Sequence, residues 1–329
     1  MSRLILEKFQ ILFYLSAIAL GLGIGSLAHT TPQVLDALLW PLLGLLLYST
    51  FTQVPLEGLW KQGLADRRFL WAAVTGNFLL LPLLVLLMTS LLPDSPGLRL
   101  GVLLVLLVPC TDWFITFTQL GGGDTRRAIA FAPVSLLLQM LCLPAYLWFF
   151  SGESAMLAST GHNMLLAFGG LILLPLALAY LTRKNAHQSR KRQTLLEGLG
   201  WLPVPLLSIV VCLIAITQVH VVLEAGALLL PAALAFIAFL VVAALAARLM
   251  AHCFRLPVQQ GRVLAFSYGT RNSFVVLPLA LALPQGYELA VSIVVLQSLI
   301  ELFGMVLYLW WVPTRLFPPG PQKAHPGGE

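Results

Sequence analysis

Nearly every charge in this chain falls in short breaks between apolar stretches of about 20 residues, and no other feature constrains its fold as strongly. In hydrocarbon only a helix or a closed barrel satisfies its own backbone, and about 20 apolar residues make one spanning helix. The stretches run over 9–28, 34–54, 68–92, 98–120, 126–150, 162–182, 199–219, 226–251, 259–283 and 287–313. Turn residues divide them: Thr30-Thr31-Pro32, Leu92-Pro93-Asp94, Gly121 to Asp124, and Pro284-Gln285-Gly286. Only 10% of the residues are charged, against about 25% in a soluble chain. That excludes a cytosolic enzyme, a nucleic-acid binder and a disordered chain. The first stretch follows Arg3 and Lys8, but it is too long for a signal peptide and no small-x-small cleavage site follows, so a retained helix is expected.

Lys and Arg set the orientation, because basic loops stay on the cytoplasmic side. With the N-terminus inside, seventeen of the nineteen basic residues fall on the inner side. Only Arg99 falls outside, and Arg271 lies within a stretch. The outer loops carry Asp94, Glu153, Glu224 and Glu288 instead. An error of one span would invert the bias from that point onward, and it never inverts. Ten spans with both termini cytoplasmic are therefore expected. The net charge of +6 reflects topology rather than an acidic partner.

The most basic segment, 183–198, divides the chain into residues 1–182 and 199–316 and is expected to be a cytoplasmic loop touching anionic lipid. Residues 317–329, rich in Pro and Gly, are expected to form a disordered tail. Five stretches, 9–150, precede a second five that begin at 162. An odd number per half means that the second half enters the membrane from the opposite side, the arrangement of inverted-repeat transporters. Superposing Thr111 on Thr270 sets Asp112 opposite Arg271, and a small shift sets Gln139 opposite Glu301.

The fourth and ninth stretches read as interrupted helices. Pro109, in Val108-Pro109-Cys110-Thr111-Asp112-Trp113, removes a backbone donor and disfavours helix at Val108. Gly269, in Ser267-Tyr268-Gly269-Thr270-Arg271-Asn272-Ser273, is a poor helix interior. Unwound backbone at this depth needs protein or a wet cavity around it. The plainer alternative is a proline kink and a glycine packing contact.

Three ionisable residues lie deep in the stretches: Asp112, Arg271 and Glu301. Such groups are costly in hydrocarbon unless paired or wet. A static Asp112–Arg271 pair would leave Glu301 over, which makes Glu301 the candidate proton carrier. Asn77 and Asn272 are costly to bury and are expected to line a site, with Thr111 beside them. The cysteines, Cys110, Cys142, Cys212 and Cys253, form neither a disulfide framework nor a zinc pattern. Cys110 stands apart because it sits at a helix break, where a thiolate, a soft ligand, would suit a trivalent metalloid. No P-loop or other nucleotide motif is present, so uphill transport would draw on an ion gradient. No cofactor or metal is expected.

The motifs Val108 to Trp113 with Leu120-Gly121-Gly122-Gly123-Asp124, Gly269 to Ser273, Gln297-Ser298-Leu299-Ile300-Glu301 and Asn77 to Pro82 resemble the arsenite-efflux (arsenical-resistance) branch of the bile acid:sodium symporter superfamily. The resemblance implies an all-α protein of ten transmembrane helices in two inverted five-helix repeats. They would form a core and a panel domain, with helices 4 and 9 broken and crossing at the substrate. It also implies metalloid efflux in exchange for protons, with Cys110 as the family's essential cysteine and Glu301 as its essential glutamate. Sodium-coupled members carry Glu-x-Gly-x-Gln-Asn where this chain has Ser267 to Asn272, and an arginine there repels a cation. Proton coupling is favoured accordingly. Arsenite exporters also carry a basic residue before the cysteine, where this chain has Pro109; Arg271 would supply that charge.

The expectation is a plasma (inner) membrane transporter exporting arsenite or antimonite hydroxides. Cys110, Thr111, Asn77, Asn272 and Arg271 would bind substrate, and Glu301 and Asp112 would couple to protons. Its partners would be the metalloid, protons and lipid, with no nucleic acid. The alternative is a proton- or sodium-coupled carrier of an organic or inorganic anion held by Arg271. An enzyme using Cys110 is disfavoured, because no histidine lies at comparable depth to act as its base.

Overall fold

A computed structural model describes residues 10–27, 33–54, 66–111, 113–150, 166, 168–184, 190–224 and 226–319. Helices account for the regular structure among them, apart from one isolated two-residue bridge. In chain order they are α1 (Gln10–Leu27), α2 (Gln33–Phe51), α3 (Arg67–Ser90, with a π-turn at Gly76–Leu80), α4 (Pro96–Leu106) and α5 (Trp113–Leu120). Then come α6 (Thr125–Phe150), α7 (Leu174–Arg183, entered through a π-turn at Phe168–Leu173), α8 (Arg190–Leu199), α9 (Pro203–Thr217) and α10 (Val219–Glu224). The last are α11 (Gly226–Cys253), α12 (Val258–Gly269), α13 (Ser273–Leu281) and α14 (Leu289–Trp311, closing in a π-turn at Val312–Leu316).

Among the described residues, five segments are long and apolar enough to cross a membrane: Arg67–Ser90, Thr125–Leu143, Arg190–Thr217, Gly226–Cys253 and Leu289–Leu316. Shorter apolar helices fill Leu12–Leu27, Ala37–Phe51, Pro96–Leu106 and Gly169–Arg183. Large apolar side chains stay exposed along whole helix faces, among them Leu79, Leu83 and Leu87 on α3 and Leu234, Ile237 and Leu245 on α11. Such surface belongs against lipid, and the protein is a multi-pass membrane protein.

Local chemistry explains the departures from simple spans. The stretches 98–120 and 259–283 are each split in two. The basic segment is not all loop, because α8 occupies part of it; Arg-Lys-Arg-Gln-Thr-Leu-Leu-Glu holds good helix formers and no proline. The seventh stretch pauses at Gln218 and resumes as α10. Each π-turn adjoins a proline: Pro82, Pro175 and Pro313. Pro82 has no N–H for the carbonyl of Phe78 four residues back, and the Tyr146 hydroxyl donates to that carbonyl instead.

Two packing groups result. The smaller holds α1, α2, α7 and α9; the larger holds α3 to α6 and α11 to α14. The α1–α9 crossing is close because α1 presents glycines four residues apart. A Cβ on Gly21 would meet the Cys212 carbonyl oxygen at 2.5 Å, and one on Gly25 would meet that of Ile216 at 2.7 Å. The groups meet chiefly where α2 and the Phe168–Leu173 turn touch α13.

Polar clamps hold one end of the larger group. Asp66 caps α3 by accepting from the Phe69 N–H, accepts from Gln260 Nε2 at 2.8 Å, and pairs with Arg127 at 3.3 Å. Burial alone would raise the Asp66 carboxyl, but Gln260, the Phe69 N–H and Arg127 together hold it below its ordinary value. Arg262 donates to the carbonyls of Gly122 at 3.0 Å and Phe317 at 2.9 Å. The chain therefore stays packed through Phe317; residues 320–329 of the expected tail lie outside the described residues.

Candidate functional site at the crossing of two broken helices

The site begins with backbone. Helix α4 stops at Leu106 because Pro109 cannot continue it, and Val108 to Thr111 run without helix. Helix α12 stops at Gly269, where a Cβ would meet the Tyr308 ring at 2.7 Å. Thr270 then turns extended, with φ −103° and ψ 140°. The two extended pieces pair antiparallel, with Pro109 opposite Arg271. The Cys110 N–H donates to the Thr270 carbonyl at 3.2 Å, and the Asn272 N–H donates to the Val108 carbonyl at 2.8 Å. Backbone that would be orphaned at a break is thus satisfied by the other break.

This pairing has a geometric consequence. Pro109 and Arg271 form the non-hydrogen-bonded pair of the bridge, so the N–H at each position points away from the partner strand. Proline suits one position because it has no N–H to satisfy. At the other, the Arg271 N–H donates to Glu301 Oε2 at 2.7 Å. Gln297, one helical turn earlier on α14, donates Nε2 to the same oxygen at 2.6 Å. Gln297 Oε1 in turn accepts from the Ser273 hydroxyl at 2.8 Å. Asn272 caps α13 by accepting from the Val275 N–H at 3.4 Å. A carboxylate, an amide and a hydroxyl therefore form one chain from α14 to the start of α13.

The Arg271 side chain goes elsewhere. Its Nη2 donates to the Tyr268 carbonyl and to Asn77 Oδ1 at 3.4 Å, and its Cζ lies 4.9 Å from the centre of the Phe239 ring. Asn77, in the π-turn of α3, also donates Nδ2 to Ser267 Oγ at 3.0 Å and to the Ala73 carbonyl at 3.1 Å. Nε and Nη1 of Arg271 have no hydrogen-bond partner among the described residues. The ion pairs among those residues, Arg99–Asp94 and the Arg127 pairs, lie elsewhere.

A narrow cavity opens against this constellation, lined by Thr50, Cys110, Trp113, Arg271, Asn272, Ser273, Phe274, Ser298 and Glu301. It holds little more than a water molecule. Of the residues expected to bind or couple, Cys110, Arg271, Asn272 and Glu301 come together in its wall. Asn77 and Thr111, both fully buried, stand outside that wall; Asn77 is consumed by protein contacts and Thr111 sits 3.5 Å from the Asn272 amide. Asp112 lies outside the described residues, and so does the expected Asp112–Arg271 pair.

Sequence reasoning passed over Thr50, Phe274 and the Phe239 ring. Only Thr50 left a trace, in the polar run Tyr48-Ser49-Thr50 ending an apolar helix. The hydrogen bonds of the bridge are symmetric about Pro109 and Arg271, so Cys110 and Asn272 hold equivalent places in it.

No curated protein matches the chain. The profile of the sodium bile acid symporter family matches residues 40–225, from α2 through the first helix break to the start of α11. That match spans more than half of the sequence, and the helical architecture agrees with it: the chain belongs to the sodium bile acid symporter family, whose members are transporters.

Proposed function

We propose that the protein is a secondary transporter that exports trivalent metalloid hydroxides, arsenite and antimonite, in exchange for protons. One observation carries this reading: a soft ligand, Cys110, and a buried carboxyl, Glu301, line a single cavity where two broken helices cross. As(OH)3 reacts with a thiol by exchanging one hydroxyl for sulfur, releasing one water and forming one As–S bond. Cys142, Cys212 and Cys253 do not line the cavity, so only one such bond forms and release stays easy.

Glu301 supplies the coupling. In its ionised form it accepts from both the Arg271 N–H and Gln297; a proton on Oε2 would compete with both donors. Protonation thereby alters the contact between α14 and the second break, which biases one conformation of the core over another. The cavity admits little more than water, so loading requires the two helix groups to part, as a panel and a core do in alternating access. The reading includes ten spans in two inverted repeats of the inner membrane, both termini cytoplasmic.

A second reading keeps the fold and makes the cargo an anion. Two Arg271 nitrogens, Nε and Nη1, without partners among the described residues and beside the N-terminus of α13, favour it. Uptake into everted vesicles under imposed proton or sodium gradients separates the two. For a metalloid, Cys110→Ser abolishes arsenite transport and Arg271→Gln only weakens it. The reverse pattern, with Cys110→Ser silent, sinks the metalloid reading.

A further inference from the structure

Thr50 sits in the last turn of α2, a helix of the smaller packing group, yet it lines the cavity that the larger group builds at its crossing. A hydroxyl in an apolar helix ordinarily bonds back to a carbonyl three or four residues earlier. The neighbours of Thr50 do so: Ser49 Oγ donates to the Leu46 carbonyl at 2.8 Å, and Thr52 Oγ1 donates to the Ser49 carbonyl at 2.6 Å. Thr50 Oγ1, on a residue only 2% exposed, has no partner among the described residues. A buried hydroxyl without a partner is unfavourable, and an isosteric valine would avoid the cost. The chain keeps the hydroxyl where α2 meets the cavity.

We propose that Thr50 is the smaller group's contact with the transported ligand, its hydroxyl hydrogen-bonding a ligand oxygen across the cavity from Cys110 and Arg271. This rests on the reading of the cavity as the transport site. A ligand bearing several oxygens, such as a metalloid hydroxide, completes the hydrogen bonds of Thr50 Oγ1 on one group and Arg271 on the other. An occupied cavity then joins the two groups, whereas an empty one leaves Thr50 Oγ1 and Arg271 Nε and Nη1 without partners among the described residues. Thr50 thus makes closure depend on occupancy and selects for oxygen-bearing cargo.

The test uses the full chain in vesicles with arsenite as probe. Thr50→Val should raise KM about tenfold with little change in kcat, the loss of one hydrogen bond to a bound ligand. Thr50→Ser should restore KM, and Ser49→Ala should behave as wild type. An unchanged KM in Thr50→Val, or a Thr50→Ser variant as impaired as Thr50→Val, overturns the proposal. Should wild-type vesicles move neither arsenite nor antimonite, the metalloid reading fails separately. Thr50 is then read without cargo, in a chain whose cysteines other than Cys110 are replaced by alanine. Oxidation should link Thr50→Cys to Cys110 and should not link Ser49→Cys; no link at Thr50→Cys overturns the assignment.

Discussion

At the first helix break the middle residue of the bridge is Pro109; at the second it is Arg271. Both stand in the same geometry, with the backbone N–H direction pointing away from the partner strand. Pro109 brings no donor and needs no acceptor. Arg271 brings one, and a carboxylate thirty residues further on, Glu301, accepts it. The spacing from Pro109 to Arg271 equals the spacing from Gln139 to Glu301. In sequence, Gln139 lies as far beyond Pro109 as Glu301 lies beyond Arg271. It is buried, and neither its Nε2 nor its Oε1 has a partner among the described residues. The difference teaches where a proton can act. At the middle of the first break proline has no N–H to hold, whereas at the second the N–H is held by a group that can gain or lose a proton.

The largest effect should come from removing that group's charge. Glu301→Gln keeps an oxygen for the Arg271 N–H, so insertion and folding should persist, yet transport driven by an imposed pH gradient should be lost. A Glu301→Gln protein that still responds to the gradient breaks the distinction between the two breaks. Next comes the support behind Arg271. Its Nη2 donates to the Tyr268 carbonyl, and the Tyr268 ring packs against Gly76 of α3. A Cβ at Gly76 would collide with the Tyr268 hydroxyl, which is fully buried and donates to the Ala72 carbonyl at 2.5 Å. Gly76→Ala should therefore cost about 1–3 kcal/mol, read as a lower midpoint of thermal unfolding in detergent.

The first break offers the complementary test. Pro109→Ala adds an N–H, and from the equal sequence spacing we expect Gln139 to receive it, so the single change should be mild. Combined with Gln139→Leu the new N–H is stranded, and the pair should lose about 1–3 kcal/mol more than the two single changes together. Additive losses would mean that the local symmetry of the bridge does not extend to α6 and α14. The smallest effect lies at the Asp66 clamp. Asp66 has a depressed carboxyl, so its contribution to stability is complete above the ordinary carboxylate range and disappears as pH falls through its folded value. Asp66→Asn should cost under about 1 kcal/mol at neutral pH, because the Arg127 pair is partly exposed, and should flatten the acid limb of the unfolding curve.

Much of this was legible in the sequence. The apolar stretches are mostly helical over their described residues, and Pro109 and Gly269 stand at the breaks they announced. Cys110, Arg271, Asn272 and Glu301, which line the cavity, were identifiable in the sequence as candidates because of the helix break and because polar groups within apolar stretches are few and costly. Thr50 was not, because a threonine near a helix end ordinarily satisfies itself. Nor was the course of the Arg271 side chain, which runs to Asn77, Tyr268 and Phe239 from three different helices.

The sequence by itself determined where helices start, stop and break, since apolar length, proline and glycine act within a few residues of where they stand. It also carries the charge bias from which an orientation is read. Only the tertiary structure decided the register of the bridge, the donor that Glu301 receives, and which polar residues face the cavity. Unwound backbone has no period of its own. Its N–H directions follow from whichever strand lies across from it, and here that strand is supplied by the other half of the chain.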